Sequence, residues 1–269
     1  GCWGVMFRSR TLFILGAGAS AEVGMPVGTD LLKSISGLLD IKYGVTGQRS
    51  GDDLIAEALR ISLKEGREVE KFNDHLHAAW QVLSSAEQAL SIDNIVDGLE
   101  DAHVELVAKL AIVRAIQISE GTSPYFGPYK SDRNRIDFRK FEDSWYSYLT
   151  KLLCENRRKS DLENVFENLS FVSFNYDRCI ERYLPASIAH YYGTDVNRVL
   201  RAFKSVPIHR PYGIAGEVSW DASGNIRGFG EGTAQELASA AGMIRTFSEG
   251  VEDPESLADL RDSISRADR

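Results

Sequence analysis

The sequence predicts an α/β fold in which a parallel β-sheet is flanked by helices. Three short apolar runs, at residues 11–15, 169–174 and 206–208, each end in glycine or polar residues. Runs of this length and composition are typical of strands that are buried on both faces of a parallel sheet. The segments between them carry helical periodicity, so the elements needed for an α/β domain are all present.

The first predicted strand, Thr11–Leu15, stops at the sequence Gly16-Ala17-Gly18-Ala19-Ser20. A helix is predicted over residues 26–39, with Thr29 or Asp30 as its N-cap. Glycines between a buried strand and a helix let the backbone turn tightly and approach a ligand. The chain therefore begins its sheet with a strand, a glycine turn and a helix.

Residues 40–165 are predicted to form a largely helical insertion between the first and second strands. Residues 44–53 are polar and contain glycine, which indicates a connection, whereas residues 54–89 and the segment after Ser91 have helical periodicity. Residues 1–10 are assigned to an N-terminal extension, and residues 11–269 to one domain.

Polar residues follow the other two predicted strands. Asn175-Tyr176-Asp177 comes after the second strand, and His209-Arg210 comes after the third. In an open parallel α/β sheet, ligands bind beyond the carboxyl ends of the strands. The glycine turn and these two polar segments are therefore expected to meet at one edge of the sheet.

Composition and charge exclude several classes of protein. The chain has 269 residues, of which 43% are hydrophobic and 26% charged, as in ordinary folded domains. The net charge of −8 disfavours generic binding to nucleic acid. No apolar run approaches the ~18 residues of a membrane-spanning helix, and no secretory signal is evident. We therefore expect a cytoplasmic protein without a membrane partner.

The three cysteines, Cys2, Cys154 and Cys179, are far apart in the sequence. An odd number of scattered cysteines fits reduced intracellular thiols and gives neither a disulfide framework nor a CxxC pair. The sequence therefore predicts no metal site.

The glycine turn favours a nucleotide ligand, but the motif by itself leaves a second interpretation open. Its GxGxS spacing lacks the third glycine of the dinucleotide-binding GxGxxG pattern, and GxxxxGK[ST] is absent from the chain. The alternative is a purely structural turn between a strand and a helix.

Several motifs in the same order resemble those of the SIR2-like proteins, which are distant relatives of the sirtuins. The resemblance extends from about residue 11 to residue 216 and includes Ser91-Ile92-Asp93 before a helix. The other motifs that carry it are Gly16-Ala17-Gly18-Ala19-Ser20, Gly24-Met25-Pro26, Phe174-Asn175-Tyr176-Asp177, and His209 before Tyr212-Gly213.

The resemblance implies that NAD binds across a Rossmann-like sheet, with its pyrophosphate at Gly16, Ala17 and Gly18. The reaction it implies takes place at the nicotinamide ribose. Asn175 would orient the ribose or a water molecule, and His209 would act as the general base. An imidazole with an unperturbed pKa of about 6.5 suits that role near neutral pH.

Three further residues each have two interpretations. Asp177 would support the Asn175 loop or bind a ribose hydroxyl, or it would simply cap the following helix. Ser20 would bind phosphate or cap a helix. Asp93 would face the ribose or be an ordinary residue of a helix N-terminus.

Two departures from the sirtuins shape the expected function. The four-cysteine zinc module that supports acyl-lysine binding is missing, which favours an NAD+ glycohydrolase, a hydrolase releasing nicotinamide and ADP-ribose, over the alternative of an NAD-dependent protein deacylase. In bacterial relatives such domains often serve antiviral defence by depleting NAD. A second alternative is a sensor that binds NAD or ADP-ribose without consuming it.

The second departure is at the end of the chain. The strand that usually completes the sheet does not follow residue 216, so we expect the C-terminal part of the sheet to be missing and the domain to be truncated. Residues 256–269 are predicted to be helical instead, with Leu257, Leu260 and Ile264 on one face. The resemblance also implies partners for this chain. These are a further domain or an activating partner, and further copies of the chain in a homo-oligomer.

Overall fold

The computed structural model describes residues 7–65, 72–126, 136–246, 249 and 254–268. Most of the predicted N-terminal extension, residues 1–6, lies outside this part of the chain. In chain order the elements are β1 (Thr11–Leu15), α1 (Ala17–Ala21), α2 (Thr29–Leu39), β2 (Lys42–Gly44), β3 (Gly47–Ser50), α3 (Asp53–Glu65), α4 (Phe72–Ala86), α5 (Ile92–Leu99), α6 (Ala102–Thr122), α7 (Trp145–Cys154), β4 (Leu169–Ser173), α8 (Cys179–Tyr192), α9 (Val196–Phe203), β5 (Ile208–His209), α10 (Ala234–Ala241) and α11 (Pro254–Arg266).

The prediction of a mixed α/β architecture with a parallel sheet flanked by helices is confirmed. The strand order is β1-β4-β5, and both pairings are parallel. Leu15 is paired with Ser173, so β1 and β4 end at the same level. This register brings the residues after the two strands side by side.

The third strand is shorter than predicted and lies one residue later. The sequence suggests residues 206–208, whereas β5 contains only Ile208 and His209. Pro207 has no N–H to donate to a sheet, although its carbonyl oxygen accepts a hydrogen bond from the Phe171 amide at 2.9 Å. Among the described residues, the chain after β5 forms helices and isolated bridges but adds no strand to this sheet.

The predicted helical insertion is present as α3 to α7, but it is preceded by a hairpin that the sequence did not suggest. β2 and β3 are antiparallel within the region expected to be a plain connection. The predicted N-cap of α2 is also wrong, because Thr29 and Asp30 are helical and the cap is Gly28. Gly28 has φ +52°, a conformation that favours glycine.

Two apolar clusters support the fold. One lies among α2 to α6 and α10, and includes Ile35, Leu59 and Leu110. The other packs the Phe171 face of the sheet against α7, α8 and α9. Four residues of the first cluster, Leu31, Ile92, Ile116 and Tyr176, also line a cavity beyond the ends of β1 and β4.

Helix α11 contacts the end of β5 through a hydrogen bond between Ser263 and His209. Leu257, Leu260 and Ser263 are half-buried, whereas Ile264, which was expected on the same face, is 51% exposed. Beyond the helix, the Asp268 amide donates to the Arg10 carbonyl at 2.8 Å, and the Arg10 amide donates to the Asp268 carboxylate at 3.0 Å. In the described part of the chain, no helix is both long and apolar enough to cross a membrane.

A fully buried ion pair joins α6 to the segment after β4. Arg178 donates from Nε to Glu120 Oε1 at 3.0 Å and from Nη2 to Oε2 at 2.5 Å. The same guanidinium donates to the carbonyls of Glu217, Arg227 and Gly228, and Gly230 N donates to Glu120. This pair therefore organises an irregular loop around residues 217–230.

Replacing Glu120 with alanine should destabilise the protein by about 3–5 kcal/mol, since it leaves the Arg178 charge buried without a counter-ion. The exposed pair between Glu163 and Arg198 provides the control, and Glu163→Ala should cost less than about 1 kcal/mol. Urea unfolding of both variants measures the difference. Equal losses for the two would contradict the organising role of Glu120.

Candidate functional site

A cavity of about 140 Å³ lies beyond the carboxyl ends of β1 and β4. Its walls come from α1, the loop before α2, the start of α5 and residues 174–177. Its lining includes five residues that the sequence nominated as site residues: Ala17, Ser20, Asp93, Asn175 and Asp177. The parallel pairing of β1 with β4 brings Ala17 and Ser20, which follow β1, close to Asn175 and Asp177, which follow β4.

Asn175 connects the two strand ends. Its side-chain Nδ2 donates to the Gly16 carbonyl at 2.9 Å and to Ser20 Oγ at 2.8 Å. Ser20 is 3% exposed, and its hydroxyl accepts this bond instead of capping a helix. The carboxamide is therefore fixed against the glycine turn, with its carbonyl oxygen available at a half-buried position.

The glycine turn is open on its outer side. Gly16 and Gly18 are exposed, and a Cβ atom added at either would meet no protein atom within 4 Å. Neither glycine has the positive φ that would require this residue. Contacts within the described chain therefore do not explain the two glycines, which leaves room for a ligand at the backbone.

Asp93 and Tyr176 form the opposite wall. Ser91 is the N-cap of α5, and its Oγ accepts a hydrogen bond from the Asn94 amide. Asp93 therefore lies in the first turn of this helix. Tyr176 Oη donates to Asp93 Oδ1 at 3.1 Å. Burial raises the pKa of Asp93, the Tyr176 hydrogen bond acts in the opposite direction, and the nearby Asp97 charge raises it further. Asp93 is thus a helix N-terminal residue and a cavity residue at once.

Tyr176 lines the cavity and Tyr212 lies near Asp93 without lining it, and sequence reasoning assigned a role to neither. Burial raises the pKa of both phenols, and the carboxylate of Asp93 adds to the effect on each. Both therefore remain hydrogen-bond donors at neutral pH. The signal was a tyrosine next to a buried strand, since a buried tyrosine hydroxyl usually has a polar partner.

Asp177 lies one residue before the N-cap position of α8, which Arg178 occupies. Its Oδ1 accepts a hydrogen bond from the Cys179 amide, the first of the helix, at 3.0 Å, and the residue is 5% exposed. Asp177 therefore bonds to the start of α8 without being its N-cap, and it also lines the cavity.

His209 is not among the residues that line this cavity. Its Nε2 lies 2.5 Å from Ser263 Oγ on α11. It lines a separate cavity of about 490 Å³ between the end of the sheet and α11, together with Arg210, Met243 and Asp259. His209 and Asn175, which we expected to face one ligand, therefore line two different cavities, and the imidazole contacts Ser263 on α11.

No cluster of three or more histidine, cysteine or acidic side chains within the described ranges could hold a metal ion. The absence of a metal from the reaction remains a prediction from the sequence.

Replacing Asp93 with asparagine should stabilise the fold at neutral pH. Because the folded-state pKa of Asp93 is raised, its ionisation opposes folding, and this opposition grows as the pH rises from the unfolded pKa of about 3.9 through the folded value. Asparagine has no charge and still accepts from Tyr176. Thermal unfolding at pH 7.5 should show a higher Tm than wild type, and the gain should shrink towards pH 4.

The exposed carboxylate Asp30, in the first turn of α2, gives a matched control through Asp30→Asn. A lower Tm for Asp93→Asn than for wild type at pH 7.5, or a gain in Tm that does not depend on pH, would show that ionisation of Asp93 does not oppose folding.

Replacing Ser263 with alanine should loosen α11. Loss of one hydrogen bond costs about 0.5–1.5 kcal/mol, so amide exchange across residues 254–266 should accelerate by up to about tenfold. Ser265 bonds only to the Asp262 carbonyl within the same helix, which makes Ser265→Ala the control. Hydrogen exchange measured by mass spectrometry decides the matter, and equal exchange in the two variants would contradict the anchoring contact.

Comparison of the chain with models of known protein families, with curated proteins and with solved structures gives no significant match. The resemblance to SIR2-like proteins therefore rests on the motifs themselves and on their order in the chain.

Proposed function

We propose that this protein is an NAD+ glycohydrolase, which releases nicotinamide and ADP-ribose from a Rossmann-like nucleotide site. The observation that carries the proposal is the arrangement around one cavity: the Asn175 carboxamide lies against the open glycine turn, and Asp93 and Tyr176 lie across from it. This is the carboxyl edge of a parallel sheet, where nucleotides bind in α/β proteins.

The dimensions of the site favour binding of a part of the dinucleotide inside it. Typical ligand pockets have volumes of ~300–1,000 Å³, and this cavity has about 140 Å³. The nicotinamide ribose would occupy the cavity, and the pyrophosphate would lie on the exposed backbone at Gly16, Ala17 and Gly18. The first amides of a helix have no partner within the helix and can bind phosphate oxygens.

The proposed reaction breaks the bond between ribose C1′ and the pyridinium nitrogen. The bonding electron pair moves to the nitrogen, so nicotinamide leaves as a neutral molecule and positive charge develops on the ribose. A water oxygen then bonds to C1′ and loses a proton. The site must hold the sugar, stabilise this positive charge and orient the water.

Asp93 and Asn175 suit these tasks. A carboxylate beside the ribose stabilises the developing positive charge and can accept the proton of the water. The raised pKa of Asp93 brings it closer to the range in which a general base works best. The free carbonyl oxygen of Asn175 can accept a hydrogen bond from a ribose hydroxyl or from the water.

Incubation of the purified protein with NAD+ should yield free nicotinamide, quantified by chromatography. Asn175→Ala should lower the rate by on the order of 10²-fold, because the group that orients the reactants is lost. Asn164 is an exposed asparagine whose side chain bonds only to Asp161, so Asn164→Ala should leave the rate unchanged. Absence of nicotinamide release by the wild type, or equal rates for both variants, would reject the proposal.

A second candidate is a sensor that binds NAD or ADP-ribose without consuming it. The contact between His209 and Ser263 favours this candidate, since the imidazole is bound outside the cavity. Saturable binding of NAD+ in calorimetry without nicotinamide release would select it.

The biological role that we propose rests on the family resemblance. A glycohydrolase of this kind would deplete cellular NAD, as in the antiviral defence that the family resemblance implies. An activating partner or homo-oligomer would then control the activity.

A further inference from the structure

Arg210 lies at the carboxyl end of β5, immediately beside the segment that contains Asn175 and Tyr176. Its side chain is 10% exposed, and that of its partner Glu181, in the first turn of α8, is 5% exposed. Neither residue lines the Asn175 cavity. Any effect of this buried pair on the Asn175 cavity must therefore pass through the residues that the pair contacts.

One nitrogen of Arg210 bridges two peptide groups. Nη1 donates to the Asn175 carbonyl at 2.9 Å and to the Asp177 carbonyl at 3.0 Å, while Nη2 donates to Glu181 Oε1 at 2.6 Å. The carbonyl between them, that of Tyr176, accepts from the Ala215 amide at 2.8 Å. All three consecutive carbonyls therefore receive donors from outside the segment.

This pattern has a clear physical reason. Residues 174–178 have no regular secondary structure, so their backbone groups lack the partners that a helix or strand would supply. A planar guanidinium presents several N–H groups in a fixed geometry, and it can bond to two carbonyls and a carboxylate at once. A lysine ammonium at the same position is a compact point charge without this fixed geometry.

The segment that Arg210 secures carries both sides of the site. Asn175 directs its amide to Gly16 and Ser20, and Tyr176 directs its hydroxyl to Asp93. A rotation of the peptide groups to which Arg210 bonds would therefore redirect the Asn175 carboxamide and the Tyr176 hydroxyl together. We propose that Arg210 is a positioning residue for this site: by bonding to the carbonyls of Asn175 and Asp177, it sets the orientation of the Asn175 carboxamide and the Tyr176 hydroxyl. This inference rests on the proposed function for its effect on catalysis.

The test uses Arg210→Lys, which keeps the positive charge next to Glu181 but loses the guanidinium. Nicotinamide release should show kcat reduced by about 10²-fold, with KM within about threefold of wild type. Arg198 makes a similar two-nitrogen contact with the exposed Glu163, so Arg198→Lys is the matched control and should keep wild-type kcat.

A second measurement does not depend on catalysis. The side-chain amide resonances of Asn175, assigned by their loss in Asn175→Ala, should shift in Arg210→Lys and not in Arg198→Lys. If the wild type releases no nicotinamide, the proposed function fails, while these resonances still test the positioning. Unchanged Asn175 resonances in a folded Arg210→Lys protein would overturn the inference.

Glu181→Gln separates the carbonyl contacts from the ion pair. Glutamine still accepts from Nη2, and both bonds from Nη1 remain, so kcat and the Asn175 resonances should stay close to wild type. If Arg210→Lys does not fold, this variant decides: a shift of the Asn175 resonances in folded Glu181→Gln would assign the effect to the charge pair and overturn the inference.

Discussion

The parallel pairing of β1 with β4 is the constraint on which the site depends. With Leu15 opposite Ser173, the glycine turn and the segment after β4 begin at the same level of the sheet. The Asn175 carboxamide then reaches Gly16 and Ser20 with hydrogen bonds of normal length. A shift of one residue in this register would turn alternate side chains to the other face and separate these groups.

Two buried arginine–glutamate pairs extend this constraint to irregular parts of the chain. Arg178, paired with Glu120, bonds to carbonyls of the loop around residues 217–230, and Arg210, paired with Glu181, bonds to the carbonyls of Asn175 and Asp177. Such pairs contribute little net stability, because removing two charges from water offsets their attraction. In this protein the two arginines donate hydrogen bonds to backbone carbonyls that have no partner within a helix or strand. The site is thus built on loops whose geometry is set by guanidinium groups bonded to the backbone.

Much of the fold could be predicted from local sequence patterns. Thr11–Leu15 and the strand after residue 168 were identified as continuous apolar runs. Only the second is buried as predicted, because β1 lies at the edge of the sheet and its Ile14 is 63% exposed. The errors arose where another constraint acted: Pro207 shortened the third strand, and Gly28 with its positive φ replaced Thr29 as the cap of α2. The Lys42–Ser50 hairpin is polar and short, so it carried no apolar pattern to detect.

The site was predictable to the extent that its residues follow strands directly. Ser20, Asp93 and Asn175 line one cavity because they follow β1, begin α5 and follow β4. The position of the His209 side chain depends on the distant Ser263, and no local pattern encodes that contact. Arg210 and Tyr176 act through hydrogen bonds across the fold, which a single sequence does not display.

Under the proposed function, we expect the cavity between Ser20, Asp93 and Asn175 to receive the ribose from which nicotinamide is released. The decisive measurement is a crystal structure of the protein grown with ADP-ribose. The terminal ribose should lie within hydrogen-bond distance of Asp93 and Asn175, with the pyrophosphate on the backbone of Gly16 to Gly18. ADP-ribose bound elsewhere, with this cavity empty of the sugar, would contradict this expectation.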